Sequence, residues 1–130
     1  MPRSGRPQIL AVEDNQDAQL LLKFLLAPRY KPTIVAGFDQ AMQLAINGGF
    51  EIYLLDINLG EYRTGIDLLQ SLRAMSQDSY VPAVALTAYA LPGDPKRFIE
   101  AGFDGYVSKP FTQKILHDAI DDLLEQFDSE

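Results

Sequence analysis

Five short apolar runs, separated by longer segments of helical period, constrain this chain's fold more than any other feature. The runs are Ile9 to Val12, Thr33 to Ala36, Ile52 to Leu55, Ala83 to Leu86 and Tyr106 to Val107. They are of strand length, and several are rich in β-branched residues, which pack well on a pleated surface. Between them, apolar residues recur every three or four positions. Ala18, Leu21, Leu22 and Leu25 mark one helical face, Ala41, Leu44 and Ala45 a second, and Ile66, Leu69 and Leu72 a third. A short fourth helix carries Phe98 and Ala101, with Asp94 as N-cap and Pro95 as first helical residue. In the last helix Ile115, Leu116, Ala119, Ile120, Leu123, Leu124 and Phe127 form a stripe, with Lys114, Asp118, Asp121, Asp122 and Glu125 off it.

Strict alternation of strand and helix implies right-handed crossovers and a parallel sheet with helices on both faces. Strands in such a sheet are covered on both sides, which explains why YLL and AVAL are continuously rather than alternately apolar. Pro32, in or beside the second strand, points to a sheet edge, where a missing N–H is tolerated. The fold class expected is α/β: a five-stranded parallel sheet in the flavodoxin-like order 2-1-3-4-5, flanked by five helices. In that arrangement ligands bind beyond the carboxyl ends of the strands, at the switch point between strands one and three.

A chain of 130 residues, 47% hydrophobic and 22% charged, can bury the core of one independently folding domain. Its net charge of −7 and pI near 4.6 oppose direct binding to nucleic acid or anionic membrane, whose phosphates attract basic surfaces. A metal cation or a basic patch on a partner is the better electrostatic match. The absence of cysteine rules out disulfides, zinc–thiolate sites and thiol nucleophiles. The opening MPRSGRPQ lacks a signal-peptide apolar stretch, and no later run approaches membrane-spanning length. The sequence therefore predicts a cytoplasmic protein, with a flexible segment over 1–7, one domain over 8–128 and no output domain after it.

The polar residues that end the strands fall on one rim. Strand one ends in Glu13-Asp14, strand three in Asp56, strand four in Thr87 and strand five in Lys109. Neighbouring strands lie roughly 4.8 Å apart, so these side chains can converge around Asp56. Taken singly, each has an ordinary reading: Asp14 and Asp56 as caps or turn residues, Thr87 as a β-former, Lys109 as a solvated charge. Together they are harder to dismiss. Carboxylates crowded to 4 Å repel by roughly 4 kcal/mol per pair at an effective dielectric near 20. A hard divalent cation such as Mg²⁺, with the Lys109 ammonium, would offset that, and no histidine or cysteine is placed to favour a softer metal.

Four stretches carry a resemblance: LAVEDN with Glu13-Asp14, YLLDINLG with Asp56, VALTAYA with Thr87, and AGFDGYVSKPF with Tyr106, Lys109 and Pro110. In this order, each after its own strand, they resemble the receiver domain of two-component response regulators (CheY-like), from Ile9 to the end of the last helix. The resemblance implies a phosphoacceptor rather than an enzyme acting on a separate substrate. Asp56 would take a phosphoryl group from the phosphohistidine of a partner. Glu13, Asp14, Asp56 and the backbone carbonyl of Asn58 would hold Mg²⁺, with Mn²⁺ as an alternative ion. Lys109 and the Thr87 hydroxyl would bind phosphoryl oxygens, and Thr87 with Tyr106 would form the switch, Tyr106 turning inward and reshaping the surface of helix four, strand five and helix five. The implied partners are a sensor or hybrid histidine kinase or a histidine phosphotransfer protein, and downstream a protein target or a second copy of the chain. The family commonly sets a cis peptide before Pro110, whereas trans is the default from sequence alone.

The chain departs from the family at Gly60, where proline is usual, and at Gly65, which lies one position later than usual after Asp56. The intervening loop is expected to be longer and more flexible. Tyr89, two residues past Thr87, is expected to restrict water near the phosphoryl group. His117 reads as a surface residue. Three other readings compete. An aspartyl-phosphate phosphatase needs a second acid where Asn58 stands, and Asn58 cannot protonate a leaving group. A flavin binder needs a Ser/Thr/Gly-rich phosphate loop where the acidic VEDNQDAQ stands. A pseudo-receiver, binding protein partners without phosphorylation, is the main alternative.

Overall fold

The computed structural model describes residues 5–75, 80–88 and 94–127. In chain order its elements are β1 (Gln8–Val12), α1 (Gln16–Leu26), β2 (Lys31–Val35), α2 (Phe38–Ile46), β3 (Ile52–Asp56), α3 (Gly65–Ala74), β4 (Ala83–Thr87), α4 (Asp94–Ala101), β5 (Gly105–Ser108) and α5 (Gln113–Phe127). The strands form one sheet in the expected order β2-β1-β3-β4-β5, with every pair parallel. β3 and β4, at its centre, are buried at each residue, while β2 is only partly covered. Pro32 lies inside β2 rather than before it, opposite Ile9. The Lys31 N–H donates inward to the Pro7 carbonyl at 2.8 Å. Alternation along the strand then turns the nitrogen of residue 32 toward the free edge, where no hydrogen bond is lost.

Residues of alternate parity enter two separate cores. Leu10, Val12, Tyr53, Leu55 and Ala85 pack beneath α2, α3 and α4, with Ala41, Leu68, Leu69, Leu72 and Phe98. Ile9, Ala11, Leu54, Val84, Leu86 and Val107 pack beneath α1 and α5, with Leu22, Leu26, Leu116 and Ile120. Both faces of the sheet are thus dry, as continuous apolar strands require.

The helical faces differ in part from those read in the sequence. In α1 the buried residues are Leu22 and Leu26, whereas Leu21 is 55% exposed and turns outward with Leu20 and Phe24. The run LLLKFLL is apolar around much of the helix, so periodicity alone could not say which side meets the sheet. In α5 the ends of the expected stripe, Ile115 and Phe127, are exposed. His117 is a correction: it is half-buried, its Nε2 lies 2.8 Å from the Leu25 carbonyl oxygen, and its ring meets Tyr30 edge-on at 5.1 Å. Tyr30, buried at the same α1–α5 seam, donates its hydroxyl to Asp121 at 2.6 Å. Burial and that hydrogen bond hold its pKa well above the usual tyrosine range. α4 begins at Asp94, one residue before the expected first helical position at Pro95, which makes Asp94 the first residue of the helix rather than its N-cap; the side chains of Asp94 and Pro95 lie outside the described residues, as does Tyr89.

Candidate functional site

Because every strand is parallel, their carboxyl ends share one rim. β1 and β3 run in register as Val12 opposite Leu55, so the next residues, Glu13 and Asp56, lie side by side. Glu13 continues the ladder by donating its N–H to the Val35 carbonyl. Thr87 is opposite Ser108 across β4 and β5, and the following residue, Lys109, donates its backbone N–H to the Thr87 carbonyl at 2.7 Å. From there the lysine chain reaches back to the acids: Nζ lies 2.6 Å from Asp56 Oδ2 and 2.8 Å from Glu13 Oε1. Glu13, Asp56 and Thr87 are buried, with 2%, 5% and 6% exposure, whereas Asp14 is exposed. One oxygen from each of Glu13, Asp14 and Asp56 falls within 4.8 Å of the others.

Local contacts hold this geometry. Glu13 Oε2 accepts the Asn15 N–H at 3.2 Å, and Asn15 Oδ1 caps α1 by accepting the Ala18 N–H. Gln19, from the first turns of α1, donates Nε2 to the Glu13 carbonyl at 2.6 Å. Asp56 Oδ1 accepts the Asn58 N–H at 3.0 Å, and Asn58 Oδ1 in turn accepts the Gly60 N–H at 3.0 Å. α3 then starts abruptly: Thr64 and Asp67 form a reciprocal capping box. Gly65 sits so close to β3 that a Cβ there would fall 2.2 Å from the Asp56 carbonyl oxygen. No other residue allows that helix start.

Lys109 is partly desolvated, which opposes its charge, but hydrogen bonds to Asp56 and Glu13 outweigh this and raise its pKa above the ordinary value. One ammonium beside three carboxylates leaves the cluster in need of further positive charge. The donor set is all oxygen, which suits a hard cation that keeps several waters in its shell, so the residues present fit Mg²⁺.

The rim therefore brings together Glu13, Asp14, Asp56 and Lys109, with Thr87 beside them and Asn58 one turn beyond Asp56. Tyr106 stands apart. It is 40% exposed on the α4 side of β5, with its ring centroid 6.1 Å from that of Phe98. The Lys109–Pro110 peptide is cis. A crevice of about 240 Å³ opens beside the site between α1 and the start of α5, lined by Glu13, Leu21, Leu22, Lys109, Pro110 and Phe111 among others.

Sequence reasoning missed Gln19 and the set of contacts around Arg63. Arg63 donates Nη1 and Nη2 to Asp39 at 3.0 and 3.3 Å and Nε to Glu61 at 2.9 Å, and its guanidinium lies 4.0 Å from the Phe38 ring centre. The loop after β3 is thus tied to the first turn of α2. The only signal in the chain was opposite charge at distant positions, which names no partner by itself.

A family model described as the response regulator receiver domain matches residues 9–121. Chemotaxis protein CheY of Pseudomonas aeruginosa is 31% identical over 121 residues, which cover 92% of this chain and 97% of that relative. The polar-differentiation response regulator DivK of Brucella anthropi is 30% identical over 113 residues, covering 86% and 88%. Hybrid signal transduction histidine kinase I of Dictyostelium discoideum is 31% identical over 87% of this chain, but the chain spans only 7% of that kinase. Likewise it spans 13% of the sensor protein GacS of Pseudomonas syringae. Among solved structures, CheY4 of Vibrio cholerae matches with a TM-score of 0.83 at 23% identity, covering 91% of this chain and 98% of that one. A CheY-like receiver domain from Methanospirillum hungatei matches at 0.84 and 24% identity, covering 96% and 98%. These structural likenesses bear on the fold. Among the described residues no helix is long and apolar enough to cross a membrane.

Proposed function

The chain belongs to the response regulator receiver domain family, a family of signalling modules, and from that premise we propose that Asp56 accepts a phosphoryl group from a phosphohistidine on a partner protein. The observation that carries this reading is the trio Glu13, Asp14 and Asp56 with ligand oxygens within 4.8 Å, joined by Lys109 at 2.6 Å from Asp56.

In the proposed transfer an Asp56 carboxylate oxygen attacks phosphorus. The new O–P bond forms as the N–P bond to the donor imidazole breaks, and the bonding electron pair returns to the ring. Glu13, Asp14, Asp56 and the Asn58 carbonyl would hold Mg²⁺. When bound, the cation supplies positive charge against both the carboxylates and the incoming phosphoryl oxygens. Lys109 leaves Asp56 Oδ2 for a phosphoryl oxygen, a short move for a flexible chain whose ammonium is already at the rim. The Thr87 hydroxyl donates to another oxygen. Thr87 and Tyr106 lie on the same side of the sheet, facing α4, so a shift of Thr87 toward the site frees space into which the exposed Tyr106 ring can turn. Phosphorylation would thereby be read on the α4–β5–α5 surface by a protein target or a second copy of the chain. The donor is a histidine kinase or histidine phosphotransfer protein, and the setting is the cytoplasm.

Acetyl phosphate with Mg²⁺, followed by intact-mass measurement, tests the reading. The parent is expected to gain one phosphoryl group and Asp56→Asn none. A parent that gains nothing from acetyl phosphate or from any histidine donor points instead to a module that binds partners without phosphorylation.

A further inference from the structure

Asp14 differs from the other two acids of the trio. Glu13 and Asp56 are buried and hydrogen-bonded, but no hydrogen bond or ion pair to another described residue orients the exposed Asp14 carboxylate. What bounds it is the main chain of Gly60. That residue has φ +71°, and a Cβ placed on it would lie 2.4 Å from Asp14 Oδ2 and 3.3 Å from its Cγ. The contact closes only because Gly60 has no side chain. A proline could not adopt this φ and would also lose the N–H that Gly60 donates to Asn58.

Gly60 is itself held from both sides. On one side Leu59 is buried in the core, and Asn58 links Gly60 back to Asp56. On the other, Glu61 accepts the Phe38 N–H at 3.4 Å, and Arg63 ties Glu61 to Asp39 through a two-pronged ion pair while its guanidinium lies over the Phe38 ring. The fork fixes orientation as well as distance. The hydrogen bond to Arg63 also holds the Asp39 carboxyl below its usual pKa.

We propose that Gly60, and Arg63 acting through it, are positioning residues for the cation: the latched loop presses the Gly60 main chain against Asp14 and keeps that carboxylate turned toward Glu13 and Asp56. The inference rests on the reading that the acidic trio takes Mg²⁺.

Calorimetric titration of Mg²⁺ into the unphosphorylated protein tests it, with no readout of phosphorylation. Gly60→Ala is expected to weaken Mg²⁺ affinity by roughly 10–100-fold, the range for losing a group that orients a metal ligand. In an Asp14→Asn background the same change is expected to weaken it no further. Arg63→Ala weakens binding in the same direction, Arg63→Lys restores it incompletely because an ammonium cannot make the fork, and Ile46→Ala, on a 70% exposed side chain at the far end of α2, leaves it unchanged. Parent-like affinity in folded Gly60→Ala and Arg63→Ala overturns the inference and leaves the trio's role intact. So does an equal loss from Gly60→Ala with and without Asp14. Should Gly60→Ala not fold, Arg63→Ala decides alone. A parent that binds no Mg²⁺ overturns the underlying reading, and the inference with it.

Discussion

Lys109 balances the acids at the rim and, in the proposed transfer, must let one of them go. Its bonds to Glu13 and Asp56 at 2.8 and 2.6 Å join side chains that are both almost wholly buried. Lys109→Met leaves those acids crowded, and without divalent cation it is expected to cost about 1–3 kcal/mol, less than a fully buried pair because the lysine is part-exposed. Excess Mg²⁺ recovers more of that loss in the variant than it adds to the parent. Urea midpoints with and without Mg²⁺ check both. The pH dependence has a definite sign. The folded pKa of Lys109 is raised above the ordinary 10.5, so its contribution is fully present below 10.5 and is lost only as pH rises through the raised value. Across the neutral range titration of Lys109 itself therefore adds no pH dependence to the stability of the parent. At this scale the residues at the rim were legible, since each follows a strand. The Gly60 contact with Asp14 was not, because a glycine in sequence shows permission and not what it approaches.

Helix α1 presents apolar residues to solvent that its own packing does not need: Leu20, Leu21 and Phe24 are 68%, 55% and 67% exposed. Leu21 also lines the crevice shared with Glu13 and Lys109. In the proposed transfer a protein donor would approach Asp56 beside this wall, whereas acetyl phosphate needs no such contact. Leu21→Asp and Phe24→Asp are therefore expected to leave stability within about 0.5 kcal/mol and modification by acetyl phosphate unchanged, while slowing transfer from a phosphohistidine protein. Equal rates from the protein donor in parent and variants would place docking elsewhere. The existence and order of the helices followed from periodicity, but their inward faces did not. In α1, five leucines and a phenylalanine surround the axis, and only the position of the sheet selects Leu22 and Leu26.

In the proposed reading the whole domain would be the unit that binds the cation, because the trio comes from the ends of β1 and β3 and exists only once the sheet has formed. Binding should therefore stabilise folding by mass action, by about 2.7 kcal/mol at a hundredfold excess of Mg²⁺ over its dissociation constant. Asp56→Asn should show a smaller rise, and a urea midpoint in the parent that ignores Mg²⁺ would remove the cation from the account. The sequence by itself determined the strands, their parallel order with Pro32 on an edge, and the rim on which Glu13, Asp56, Thr87 and Lys109 meet. The strands and the residues that end them follow from period, which neighbours in the chain decide among themselves; the shared rim follows because strict alternation of strand and helix makes every strand parallel. Only the tertiary structure decided the outward face of α1, the docking of His117 onto Leu25 and Tyr30, the outward position of Tyr106, and the latch from Arg63 to Asp39. Each joins or separates groups far apart in the chain, and the distance between such groups is set by how the elements pack, which no local pattern encodes.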